Sequence, residues 1–180
     1  MTAKPPINKN FPLSHGVTAG KWRKIRDYYE QMMEAVTFAE AGELDIARQV
    51  AHRGENESSK ILAVEKSEEF SGEIKSYAVQ LAKRVGFELV AISICDDEGK
   101  SKKESFQIDS EKAAAAFQAE AVESGIRFCH VVKFGRLKDI LGEIRQEIRR
   151  IKLVVTSSEI GTDEIEGSLK VPVFIASSTR

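Results

Sequence analysis

Apolar positions along the chain change their spacing several times, and each change marks an element. Ile61-Leu62-Ala63-Val64 form a short continuous run within Lys60–Glu65, which predicts a strand. The run stops on a charged and hydroxylated loop, Lys66-Ser67-Glu68-Glu69, before the chain turns amphipathic. Ile74, Tyr77, Ala78, Leu81, Ala82 and Val85 recur at helical spacing from Gly72 to Val85, and Gly86 is placed to end that helix. Glu88–Cys95 is apolar on both faces, as a strand covered by helices on two sides must be. Asp96–Gln107 reads as a hydrophilic loop, and Asp109 or Ser110 is placed to cap a helix through Ala113–Ala116 and Phe117 to Ser124, closing at Gly125. The pattern then predicts a third strand over Ile126–Lys133 and a helix from Arg136 to Arg150, with Leu137, Ile140, Leu141, Ile144 and Ile148 inward. A fourth strand covers Ile151–Thr156 and a fifth Val171–Ala176.

Strands alternating with helices imply an α/β fold, an open, mostly parallel five-stranded doubly wound sheet. The first strand of such a series becomes the central one, and the loops at the carboxyl ends of the strands face the ligand crevice. Ser157–Lys170 is barely long enough for a parallel crossover, with room for a short helix around Asp163–Leu169. The last strand is therefore expected at an edge or paired with another subunit.

The part before Lys60 has a different character. Residues 1–17 carry Pro5, Pro6, Pro12 and Gly16 with no apolar period and read as an extended or disordered leader. Residues 18–59 read as a helical hairpin and linker, and residues 60–180 as the α/β domain. In the hairpin Trp22, Ile25, Tyr29, Met32 or Met33, and Val36 make one stripe, opposite Lys24, Asp27, Glu30 and Glu34. Leu44, Ala47, Val50 and Ala51 supply the second helix after the break at Ala41-Gly42-Glu43. Such a stripe must be covered by the main domain, by a second copy of the chain, or by another protein. Trp22, Ile25, Tyr29, Met33 and Val36 are thus the candidates for docking or dimer contacts.

Composition narrows the function classes. Charged residues are 31% of the 180 and cancel to a net charge of −1, which argues against nucleic-acid or membrane-surface partners. Arg145, Arg149, Arg150 and Lys152 are diluted by Glu143 and Glu147 and read as a solvated face. No apolar run approaches the roughly 20 residues of a membrane span, and the first residues lack a signal-peptide core, so a cytoplasmic location is expected. Cys95 and Cys129 form no C-x-x-C pattern and read as buried or half-buried thiols in a reducing compartment, a regulatory disulfide being the alternative. His15, His52 and His130 fall in separate elements, so no metal site is expected. Nucleophile–base sets, a Walker loop and spaced carboxylate pairs are also missing, and no catalytic residue is assigned.

KILAVEKSE, ELVAISI, VVKFGRLKDILGEI, and IKLVVTSS followed by VPVFIA together resemble the universal stress protein family over about Lys60–Ala176. Gly135 before Ile140-Leu141, and Val154-Val155 entering Thr156-Ser157, carry most of that resemblance. Nucleotide-binding members of the family hold ATP at the carboxyl ends of the first and fourth strands, with an acidic residue after the first and a glycine-rich phosphate loop after the fourth. The resemblance points to Glu65, Lys66, Ser67, Ser157, Ser158, Gly161, Gly167 and Ser168 as the matching positions, with ATP and Mg as the implied ligand. The chain departs from the pattern at each part. Glu65 stands where the family has Asp, Thr156-Ser157-Ser158 replace the first glycines, and Gly167-Ser168 precede Pro172 too closely to open a helix. Glu159, Asp163, Glu164 and Glu166 also load the loop with charge that repels phosphates.

The resulting expectation is a non-enzymatic regulatory or stress-response module with a degenerate nucleotide site and no resident cofactor. It would act as a homodimer and through docking to a protein such as a transporter or enzyme. An adenine-nucleotide sensor or weak ATPase on the same fold is the alternative.

Overall fold

The computed structural model describes residues 19–53, 58–96 and 100–176, the side chains of residues 19–25, 100 and 101 excepted. The expected leader, residues 1–17, and most of the linker before Lys60 lie outside the described residues, as do the side chains of Trp22 and Ile25. The elements are α1 (Ala19–Glu40), α2 (Leu44–Ala51), β1 (Lys60–Glu65), α3 (Gly72–Val85), β2 (Glu88–Cys95), α4 (Lys100–Glu123), β3 (Phe128–Phe134), α5 (Leu137–Glu147), β4 (Ile151–Thr156), α6 (Thr162–Leu169) and β5 (Val173–Ile175).

The five strands form one parallel sheet in the order β3-β2-β1-β4-β5, so β1 is central as its position in the chain implied. Because side chains alternate across a strand, each strand feeds two cores. Ile61, Ala63, Leu89, Ala91, Leu153 and Val155 face α3, α4 and the hairpin, whereas Leu62, Val64, Val90, Ile92, Ile94 and Val154 face α5 and α6. The strand order reverses between β1 and β4, and the carboxyl ends of these two strands form the switch point at which sheets of this kind bind ligands.

Local chemistry sets the boundaries of α3. Ser71 Oγ accepts a bond from Ile74 N at 3.2 Å, a cap worth about 1 kcal/mol. At its other end Gly86 takes φ 75°, a left-handed conformation open to glycine at little cost. The short connection between β4 and β5 does make a parallel crossover. Eight residues of α6 suffice, and Lys170, at φ 57°, turns the chain into β5 at the sheet edge.

Several boundaries differ from the sequence pattern. Asp96–Gln107 is not a loop throughout: α4 begins at Lys100, and Asp109 and Ser110 lie inside it rather than capping it. Lys, Glu and Gln are good helix formers, and Phe106, only 6% exposed, anchors the first turns. The polarity of that stretch concealed this. Helix α5 ends at Glu147, because Ile148 is extended and Arg150 adopts φ 62° to turn into β4. Strand β3 starts two residues later than the expected Ile126, and β5 is confined to Val173–Ile175. Cys95 is buried as expected, but Cys129 is exposed on the edge strand.

The hairpin shares the core on the α3 side. Met32, Ala35, Val36, Ala39, Ala47, Val50 and Ala51 are all buried within it. Polar contacts register the docking: Arg48 donates to Lys83 O at 3.1 Å, and His52 Nε2 lies 3.1 Å from Val85 O with its ring edge-on to Phe87. Tyr28 hydroxyl donates to Lys152 O beneath a cation–π contact from Lys152, and Tyr29 hydroxyl donates to Glu166 at 3.1 Å. Of the expected docking residues, Val36 is enclosed by its own chain, and Tyr29 and Met33 are half-buried. Of the described stripe residues, Met32 and Val36 thus face the core of their own domain.

Candidate functional site

Glu65 is the last residue of β1 and points to the α3 side of the sheet, where it is 6% exposed. Its Oε1 accepts a bond from Ser157 Oγ and another from the Lys66 amide, both at 3.1 Å. Burial pushes its carboxyl up from the ordinary 4.5; the two bonds oppose this, and Glu159 across the crevice adds to the rise. Thr156 Oγ1 donates to Val64 O at 3.0 Å one step deeper. The carboxyl ends of β1 and β4 are thereby joined by side-chain bonds across the switch point.

The surrounding residues make local contacts of their own. Lys66 Nζ pairs with Asp96 Oδ2 at 3.0 Å at the end of β2, both side chains remaining partly exposed. Ser67 Oγ accepts from Glu69 N at 3.3 Å and closes its own turn, while Ser158 is exposed. Gly161 is the N-cap of α6 at φ −62°, and a Cβ built there meets nothing within 4 Å. Neither backbone conformation nor crowding therefore requires glycine at this position. Gly167 and Ser168 sit inside α6, six and seven residues beyond Gly161. At ~1.5 Å per residue that is about 9 Å or more along the axis. The fold places Glu65, Lys66, Ser67, Ser157, Ser158 and Gly161 at or just after the carboxyl ends of β1 and β4 and leaves Gly167 and Ser168 at the other end of α6. Glu159 stands near enough to Glu65 to raise its carboxyl, and Glu68, Glu69, Asp163 and Glu164 are further exposed acids in the loop after β1 and the first turn of α6.

One polar pair lay hidden in the sequence. Ser93 on β2 is the register partner of Glu65, and its Oγ lies 3.0 Å from His130 Nε2 on β3. His130 is half-buried beside the Phe70 ring, at 6.2 Å between centroids, and burial lowers its pKa below 6.5 against an opposing pull from Glu111. The available signal was a polar residue at alternating positions inside apolar strands, Ser93 in AISIC and His130 in FCHVV. Strand pairing was needed to join them. Among the described residues no group of His, Cys, Asp and Glu is arranged to hold a metal ion, and no helix is long and apolar enough to cross a membrane. A groove of about 630 Å³ opens at the opposite end of the sheet, between Lys60, Arg127, Val131, Ile148 and Arg149, away from the switch point.

No family model matches the chain, and no curated protein matches it in sequence. Its fold, however, is that of the universal stress proteins. A universal stress protein family structure from Burkholderia pseudomallei aligns at 19% identity and a TM-score of 0.50, over 65% of this chain and 94% of that one. A universal stress protein from Archaeoglobus fulgidus aligns at 13% identity and 0.52, over 66% and 93%. Another structure from that organism, in complex with dAMP, aligns at 12% identity and 0.53, over 67% and 98%. About two thirds of this chain thus spans nearly the whole of each.

Proposed function

We propose that this protein is a cytoplasmic, non-enzymatic regulatory module of the universal stress protein type whose nucleotide site has degenerated, and that it acts through dimerisation and protein docking. The observation that carries the reading is the Ser157–Glu65 bond, which engages the acidic residue after β1 with the chain's own side chain. Acidic residues in the loops after β1 and β4 oppose a triphosphate in the same place.

An adenine-nucleotide sensor or weak ATPase is the second reading. It is favoured by the dAMP complex of a protein with the same fold and by the N-terminus of α6, which opens at the crevice without a side-chain cap. ATP with Mg would then meet Glu65, Lys66, Ser67, Ser157, Ser158 and Gly161. Calorimetric titration of the purified protein with ATP and Mg²⁺, after a mass check for co-purified nucleotide, separates the two. No heat at millimolar ATP is expected; micromolar binding that is lost in Glu65→Ala would replace the first reading by the second.

A further inference from the structure

Polar side chains cross the α3 and α4 face of the sheet in one row, through a layer that is otherwise apolar. Ser157 follows β4, Glu65 ends β1, Ser93 lies in β2 and His130 in β3, on the face that also carries Ala63, Ala91 and Val155. Two bonds make the row. Ser157 donates to Glu65 Oε1, and Ser93 Oγ lies 3.0 Å from His130 Nε2. The bonds adjoin where β1 pairs with β2, because Glu65 and Ser93 are register partners on strands about 4.8 Å apart.

Burial fixes where the protons sit. Ser93 is 0% exposed, and among the described residues its hydroxyl has no polar partner other than His130 Nε2. A buried hydroxyl proton without an acceptor forfeits a hydrogen bond, so Ser93 donates and Nε2 accepts. The neutral imidazole therefore carries its own proton on Nδ1, and a second proton can bind only at Nε2. Once there, Nε2–H donates to Ser93 Oγ, and the hydroxyl proton must turn to another acceptor. Glu65 offers one from the neighbouring strand. Both of its bonds end on Oε1, which leaves Oε2 open to a further donor.

We propose that Ser93 is a proton-linked relay between His130 and Glu65, in which charging the imidazole turns the Ser93 hydroxyl onto the carboxylate and holds Glu65 ionised. One proton is taken from solvent at Nε2, and the only other change is rotation of the hydroxyl about its C–O bond. By linkage, an ionised Glu65 raises the affinity of His130 for its proton. The consequence lies at the switch point. A carboxyl as buried as Glu65 loses its charge early as pH falls, and the relay extends its ionised range through the interval in which His130 charges. This holds with or without a nucleotide beside Glu65. Burial lowers the His130 pKa and raises that of Glu65, which brings the two titrations closer together. Few charges face the pair. Glu111 on α4 draws His130 toward protonation, Glu159 acts against ionisation of Glu65, and Lys66 and Asp96 pair with each other. Phe70, in the loop after β1, is the uncharged neighbour of His130, and no strand lies beyond β3.

NMR on the full chain tests the relay in two ways. Ring nitrogen shifts of His130 above pH 7.5 are expected to place its proton on Nδ1; a proton on Nε2 overturns the relay. This reading uses the unaltered protein, so it stands even where a Ser93 variant fails to fold. The imidazole titration is then followed in wild type, Glu65→Gln, Ser93→Ala and the double variant. Because a neutral amide accepts the hydroxyl proton more weakly, Glu65→Gln is expected to weaken proton binding at His130 about threefold when Ser93 is present. In the Ser93→Ala background the same change is expected to have almost no effect. An equal change in both backgrounds means that charge acts directly through space and overturns the relay, as does no change in either.

Discussion

The bond from Ser157 to Glu65 gives the sharpest test of the switch-point contact. Ser157→Ala removes one of the two donors to Glu65 Oε1 and leaves the Lys66 amide. A hydrogen bond to a charged acceptor contributes about 1.5–3 kcal/mol, and the half-buried position of Ser157 favours the lower end. The expected loss at pH 8 is therefore ~1.5 kcal/mol, which for a chain of this size lowers the melting midpoint by about 3–6 °C. The pH dependence has a definite sign. Because the folded Glu65 carboxyl is raised above 4.5, its contribution to stability is full below 4.5 and is lost as pH rises through the folded value. Removing Ser157 raises that value further, so the gap between wild type and variant opens with rising pH. Urea unfolding from pH 4.5 to 8, repeated in a Glu65→Gln background, reads both effects. In that background the neutral amide makes only an ordinary bond, and the loss shrinks to about 0.5–1 kcal/mol. An equal loss at every pH and in both backgrounds would refute Glu65 as the charged partner.

Other consequences follow from the packing. Met32→Ala is expected to cost about 2–5 kcal/mol in urea unfolding because Met32, 1% exposed, fills the shared core, and a change under about 1 kcal/mol would mean the hairpin is only loosely attached. His130 is expected to titrate below 6.5 by NMR; with its folded value depressed, its share of stability is full above 6.5 and is lost as pH falls from there through the folded value. Phe70, Ser93 and Glu111 surround it, and a midpoint at or above 6.5 would mean that Glu111 outweighs burial. Native protein is expected to present one reactive thiol, Cys129, to Ellman's reagent, and two only after unfolding. Two fast thiols in the native state would place Cys95 outside the core.

Much of this molecule is written in short-range pattern. Continuous apolar runs located β1, β2 and β4, Gly86 ended α3, and the order of strand and helix implied a parallel doubly wound sheet with β1 at its centre. These features are legible because they depend on neighbours within a few turns of chain. The start of α4 was not, since a single buried phenylalanine, Phe106, holds a polar segment that only its place against the sheet distinguishes from a loop. The candidate site divided in the same way. Sequence located the loops after β1 and β4, but the bond between Ser157 and Glu65 spans 92 positions, and the Ser93–His130 pair forms only when β2 and β3 align. Tertiary structure also decided that Met32 and Val36 face their own domain while Ile108 and Val122 face outward. A period tells which residues share a face; what covers that face depends on elements far away in the chain.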